Sequence, residues 1–89
     1  MSFKIETIRS RNRVTLRISG RLRCENLLEL KKQVETDPAR TVLDISEVTL
    51  VDVEVVHFLN ACQDQGAEIA NISPYIREWM NRERNPESQ

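Results

Sequence analysis

One stretch of the chain, residues 41–60, changes from the pattern of a strand to the pattern of a helix. Residues 41–45 (TVLDI) are rich in β-branched side chains and have the length of a buried strand. The residues that follow place apolar side chains at helical spacing: Val55, Phe58, Leu59 and Cys62. A buried strand that leads into an amphipathic helix is half of a β-α-β unit, so this stretch predicts an α/β fold.

The junction between this strand and this helix carries two carboxylates. Asp52 lies at the predicted N-cap, where its side chain can accept a hydrogen bond from an unpaired backbone N–H group, and Glu54 follows in the first turn. The simpler interpretation is that both residues cap the helix start and that their negative charges match the positive end of the helix dipole. The alternative is an acidic patch that docks a partner. We expect any functional site to lie at this junction.

The length and charge of the chain limit its organisation and its partners. Its 89 residues predict one domain, over residues 1–82, followed by a polar tail at residues 83–89. With 13 basic and 14 acidic residues the net charge is −1, which argues against nucleic acid or an anionic membrane as a partner. No apolar run reaches the roughly 20 residues of a membrane span, and the N-terminus does not resemble a signal peptide. We therefore expect a cytoplasmic protein.

The rest of the chain continues the alternation of strands and helices. Residues 3–8 and 14–19 predict an antiparallel hairpin that ends at Gly20, and residues 24–35 predict a helix that ends before Pro38. A strand at residues 67–72 and a helix from Tyr75 to about residue 82 complete the order β-β-α-β-α-β-α. This order predicts a small, mostly parallel four-stranded sheet with about three helices.

Two local signals place helix ends after the central strand. Gly66 follows the helical pattern at the position that favours a left-handed backbone. Ser73 and Pro74 are the preferred residues for the N-cap and the first position of the last helix. On that helix, Tyr75 and Trp79 are expected in the core, with a partner contact as the alternative.

The sequence offers little that could support catalysis. Asp44, Asp52 and Glu54 would be a weak Mg²⁺ site, because no glycine-rich phosphate loop accompanies them. His57 and Cys62 are not at a spacing that places both on one helix face, so a Cys–His nucleophile is not favoured. We predict no enzyme activity, no metal site and no cofactor, and two reduced thiols at Cys24 and Cys62.

Basic side chains are concentrated near the hairpin, and the simplest interpretation is a solvated surface. An acidic partner surface or nucleic acid is the alternative. The residues are Arg9, Arg11, Arg13, Arg17, Arg21 and Arg23.

Three segments of the chain resemble STAS domains, the module of bacterial anti-sigma factor antagonists and of sulphate-transporter tails. Residues 14–22 (VTLRISGRL), followed by the helical residues 27–34 (LLELKKQV), resemble the family's strand ending in Gly-x-Leu and the helix after it. Residues 42–52 (VLDISEVTLVD) are similar to its strand and the loop that leads to an Asp, and residues 73–79 (SPYIREW) to its later helix. The likeness covers residues 13 to about 80 and implies a STAS-like fold.

The chain departs from the STAS pattern at the position of the phospho-switch. The family has a phosphorylated Ser after the Asp matched by Asp52, whereas this chain has Val53 and then Glu54, neither of which has a hydroxyl group. The family's Asp after Gly-x-Leu is replaced by Arg23. The chain therefore resembles a short, divergent member that lacks the phosphoacceptor serine.

The resemblance implies a non-enzymatic regulatory protein-interaction module of bacterial signalling and transcription regulation. The expected partner is a regulatory protein of the anti-sigma factor or serine kinase class, and a homodimer is a further alternative. The expected partner-binding residues are Asp52, Val53, Glu54, Val55 and His57. A small-molecule or lipid-binding sensor domain of the same fold is the alternative function.

Overall fold

A four-stranded sheet forms the centre of the computed structural model, which describes residues 3–84. The strands are β1 (Phe3–Arg9), β2 (Val14–Leu22), β3 (Thr41–Val51) and β4 (Glu68–Ala70). The helices are α1 (Leu27–Thr36), α2 (Val53–Asp64) and α3 (Pro74–Arg84), and short 3-10 turns at Cys24–Asn26 and Pro38–Arg40 precede α1 and β3. The predicted α/β class, with four strands and three helices in the order β-β-α-β-α-β-α, is confirmed.

The pairing of the strands corrects one part of the prediction. The strands lie in the order β1-β2-β3-β4, with β1 antiparallel to β2 while β2 and β3, and β3 and β4, are parallel. The sheet is therefore mixed, and the prediction of a mostly parallel sheet was wrong. The reason is that the hairpin contributes a full-length antiparallel strand, whereas β4 adds a parallel strand of only three residues.

The three helices pack on one face of the sheet. Both parallel crossovers, through α1 and through α2, step in the same direction across the sheet, and right-handed crossovers of that kind place their helices on the same side. One hydrophobic core results, in which Leu16 and Leu43 on adjacent strands pack with helix residues such as Leu30 and Leu59. The opposite face of residues 3–84 carries no helix and presents mostly polar side chains.

Two strands are longer than predicted. Gly20 does not end β2, because the strand continues to Leu22, and Gly20 is accommodated by a backbone φ of +91°. β3 likewise continues beyond Ile45 to Val51. The register against β2 shifts twice along this extension, so β3 reaches the start of α2 as an irregular strand.

The ends of the later elements follow their local signals. Gly66 has a φ of +105°, as the helix end predicts, and Ser73 Oγ accepts a hydrogen bond from the Ile76 N–H group at 3.3 Å. The last helix continues past residue 82 to Arg84, and residues 85–89 of the predicted tail lie outside the described residues. No helix among the described residues has both the length and the apolarity needed to cross a membrane.

The aromatic pair of α3 differs from the prediction at one residue. Trp79 is half-buried and packs against the core, as predicted. Tyr75 is 53% exposed and was wrongly placed in the core. Its ring lies 6.0 Å from that of Trp79, one turn further along α3.

Candidate functional site

Asp52 connects the starts of two helical segments. Its Oδ1 atom accepts a hydrogen bond from the Val55 N–H group at 3.1 Å, which confirms the predicted cap of α2. Its Oδ2 atom accepts a second hydrogen bond, at 3.0 Å, from the N–H group of Cys24 in the turn before α1. Both carboxylate oxygens are thus engaged by backbone groups at the carboxyl ends of β2 and β3.

The other predicted site residues fall into two groups. Val53, Glu54 and His57 are exposed on the first turns of α2, and Val53 is 39% exposed. Val55 is 0% exposed and packs in the core, so its side chain is not part of the surface. The helical spacing of Val55 with Phe58 already indicated this inward position.

Two further apolar side chains are exposed at the same end of the sheet. Leu28, in the first turn of α1, is 64% exposed, and Leu50, near the end of β3, is 41% exposed. Leu50 lies opposite Arg21 and points to the face without helices, whereas Leu28 and Val53 lie on the helix side; we call these three residues, which share one end of the sheet, the helix-start patch. Asp52 connects the segments that carry the patch, because it follows Leu50, precedes Val53 and bonds to the turn before Leu28. One signal for it is visible in the sequence, since Leu28 lies off the inward face of its helix.

His57 links α2 to α3 rather than standing free on the surface. Its Nε2 atom lies 2.7 Å from Glu83 Oε1, and this hydrogen bond lowers the pKa of the Glu83 carboxyl group. An open groove of about 320 Å³ lies beside the pair. Arg84 closes part of the groove wall by donating to the Asp64 carboxylate and to the Asn60 carbonyl oxygen. The groove is lined by side chains that hold α2 and α3 together.

Asp44 lies on the open face of the sheet, away from Asp52. Its Oδ1 atom accepts hydrogen bonds from the Ser46 N–H group at 3.0 Å and from the Asn71 amide at 3.1 Å, and Arg17 Nε lies 3.7 Å from its Oδ2 atom. Burial opposes ionisation of this carboxyl group, but these hydrogen bonds and the charge of Arg17 outweigh it and lower its pKa.

The three carboxylates considered for Mg²⁺ are therefore not assembled into one site. Asp44 accepts a hydrogen bond from the Ser46 N–H group within β3, and Asp52 accepts hydrogen bonds from two backbone N–H groups. Glu54 is exposed. Within residues 3–84 no group of three or more His, Cys, Asp or Glu side chains is positioned to hold a metal ion.

The two cysteines differ in their surroundings. Cys62 is buried among core side chains, and this burial raises the pKa of its thiol to about 12. A thiol with such a pKa is almost entirely protonated at neutral pH and is a poor nucleophile. Cys24 is exposed beside Asp52.

The candidate site therefore consists of an acidic, capped helix start, with exposed apolar side chains at the same end of the sheet. A scan against protein-family models and a search of curated proteins both gave no match to this chain. Its function is inferred from the residues at the start of α2 and from their geometry.

Proposed function

We propose that this chain is a non-enzymatic regulatory module that binds another protein at the start of α2. The observation that carries the proposal is the helix-start patch. Of the large apolar side chains that are exposed within residues 3–84, which are Ile8, Leu28, Leu50, Val53 and Tyr75, three belong to this patch. A concentration of exposed large apolar side chains at one end of a domain favours a protein interaction site there.

The charges around the patch would give such a contact its orientation. Glu54 adds an exposed negative charge to the first turn of α2, where the helix dipole favours it. Arg21 and Arg23 are exposed on the neighbouring segment before α1. A partner would need an apolar centre, with a basic group opposite Glu54 and an acidic group opposite the arginines.

The class of partner is suggested by the resemblance to STAS domains. In that family a partner kinase phosphorylates a Ser that follows the Asp, and the residues that resemble this segment here are Asp52, Val53 and Glu54. Because Val53 and Glu54 have no hydroxyl group, binding would not be switched by phosphorylation at these positions. It would be constitutive or controlled through the partner.

The proposal is tested by affinity capture from the native host's lysate with the wild-type chain and a Val53→Asp/Glu54→Lys variant. These two side chains are exposed, whereas Asp52 is a cap whose replacement would also alter the fold. Capture of a kinase-type or anti-sigma-type protein by the wild type, and its loss from the variant, is the expected result.

A Glu78→Lys variant is the matched control, because Glu78 is exposed on α3 and its replacement changes the charge in the same way as Glu54→Lys. The control should capture the same protein as the wild type. Equal capture by all three chains would place the partner surface elsewhere. A small molecule or lipid retained by the purified chain, with no captured protein, would favour the sensor alternative.

A further inference from the structure

The two edges of the sheet are protected to different degrees. At one edge β4 is only three residues long, and the chain turns away directly after it at Asn71, which has a φ of +59°. At the other edge β1 has seven residues, contains no proline, and pairs with β2 without a register shift from Phe3 to Arg9. A long, regular edge strand presents backbone N–H and C=O groups that can pair with another strand.

The hairpin turn determines which groups of β1 point outward. The Ser10 N–H group donates to the Arg13 carbonyl oxygen at 2.9 Å, so these two residues form a hydrogen-bonded pair. Opposite residues of an antiparallel ladder alternate between hydrogen-bonded and non-hydrogen-bonded pairs. The N–H and C=O groups of Phe3, Ile5 and Thr7 therefore point away from β2, towards solvent.

The charges of β1 select one way in which two copies of the strand could pair. Lys4 and Glu6 lie on the open face of the sheet, on either side of Ile5. If two β1 strands pair antiparallel with Ile5 opposite Ile5, each Lys4 lies opposite a Glu6. If they pair with Glu6 at the centre, two carboxylates oppose each other, which is unfavourable.

The same register uses the outward backbone groups and the apolar side chains. Ile5 would exchange two hydrogen bonds with Ile5 of the second copy, and each Phe3 would exchange two with Thr7. Phe3 and Ile5 are only half-buried against their own core. A second β1 strand would cover more of their apolar surface, and burial of that surface favours association.

We propose that two copies of this chain associate through antiparallel pairing of their β1 strands, centred on Ile5, so that both sheets become one continuous sheet. Opposite residues of a strand pair point to the same face, so the helices of both copies lie on one side. The dimer thus presents two α2 starts on the same side. The proposal concerns a surface separate from the helix-start patch and does not depend on the proposed function.

The association is tested by sedimentation of the chain over a range of concentrations. The wild type should reach the mass of two 10.4 kDa chains. The dimer has two Lys4–Glu6 pairs, and Lys4→Glu places two carboxylates opposite each other in both of them. This variant should raise the dissociation constant of the dimer about tenfold or more. The double variant Lys4→Glu/Glu6→Lys restores opposite charges and should recover the dimer.

The matched control is Lys31→Glu, which makes the same change of charge at an exposed position of α1 and should leave the dimer intact. A wild-type chain that sediments as a single copy even at millimolar concentration would overturn the proposal. A dimer that Lys4→Glu does not weaken, or that the double variant does not recover, would overturn the pairing of β1.

A second measurement does not depend on the charges. Thr7→Pro removes an outward N–H group and keeps the pairing of β1 with β2, since proline is tolerated where the N–H side of an edge strand faces solvent. It should give a folded single copy. The amide of Ile5 should exchange slowly with deuterium in the wild-type dimer and fast in this variant. Equally fast exchange in both would overturn the proposal.

Discussion

The two faces of the sheet are built from the same strands but have opposite roles. On the helix-covered face, Leu16, Ile18 and Leu43 are fully buried. On the open face the neighbouring residues Thr15 and Arg17 are half-buried or exposed. Because strand side chains alternate between the faces, each strand contributes to both regions.

The contrast between the two faces indicates which residues stabilise the fold. A single apolar layer between sheet and helices supplies the burial, whereas the open face is held by hydrogen bonds and weak ion pairs such as that of Arg17 with Glu6. Substitutions on the two faces should therefore differ strongly in their effect on stability. Substitutions at the junction between β3 and α2 should have effects on stability of intermediate size.

The largest effect is expected for Leu43→Ala in the covered face. Leu43 is in the central strand and fully buried, so its truncation should lower the free energy of unfolding by about 2–5 kcal/mol. Denaturant unfolding followed by circular dichroism measures this change. Thr15→Ala is the control on the open face and should change the same quantity by less than about 0.5 kcal/mol. Similar losses in both variants would contradict the comparison.

A smaller loss is expected at Asp52, where strand and helix meet. Asp52→Ala removes the cap of α2 and the acceptor for the Cys24 N–H group, and should cost about 1–3 kcal/mol of unfolding free energy. Asp52→Asn retains one carbonyl oxygen, enough for the cap alone, and should cost less. If Asn were as harmful as Ala, the cap would contribute little, and the loss would come from the Cys24 hydrogen bond or from the charge.

The open face should make its own contribution to the pH dependence of stability. The folded-state pKa of Asp44 lies below its ordinary value, so Asp44 stabilises the fold above the unfolded pKa of about 3.9. This contribution is lost as the pH falls through the folded pKa. Asp44→Asn should therefore be less stable than the wild type at neutral pH, and the difference should shrink in acid. Unfolding measured from pH 7 downward tests this, and a constant difference would contradict it.

A small effect is also expected for Arg17→Ala on the open face. Arg17 is half-exposed, and its nitrogen atoms lie 3.9 Å from Glu6 Oε1 and 3.7 Å from Asp44 Oδ2. Exposed pairs of this kind are worth little, so the free energy of unfolding should change by less than about 1 kcal/mol. Thermal unfolding at low and at high salt measures it. A loss as large as that at Leu43 would overturn the proposed difference between the faces.

Features that depend on neighbouring residues could be predicted from the sequence. The Asp52 cap, the left-handed Gly66 and the Ser73 cap each depend on a few adjacent positions, and the structure has all three. The order of the elements was also predictable, because the change from strand to helical spacing is a local pattern. These signals fixed the α/β class.

Features that depend on distant segments could not be predicted in this way. The hydrogen bond from Cys24 to Asp52 joins residues 28 positions apart, and no local pattern indicates it. The continuation of β2 through Gly20 depends on pairing with the extended β3, which overrides the usual effect of glycine. The central strand was predicted for residues 41–45 only, so the position of Leu50 near the end of the longer β3, and its exposure there, could not be predicted.

Because one cysteine is exposed and the other is buried, thiol labelling of the natural chain can follow both partner binding and opening of the core. A fluorophore attached through maleimide should react first at the exposed Cys24, beside the carboxylate that holds the start of α2. Its emission would then respond to a partner that covers this end of the sheet. The buried Cys62 becomes reactive only when the core opens, so the rate of its labelling measures how often the helices separate from the sheet.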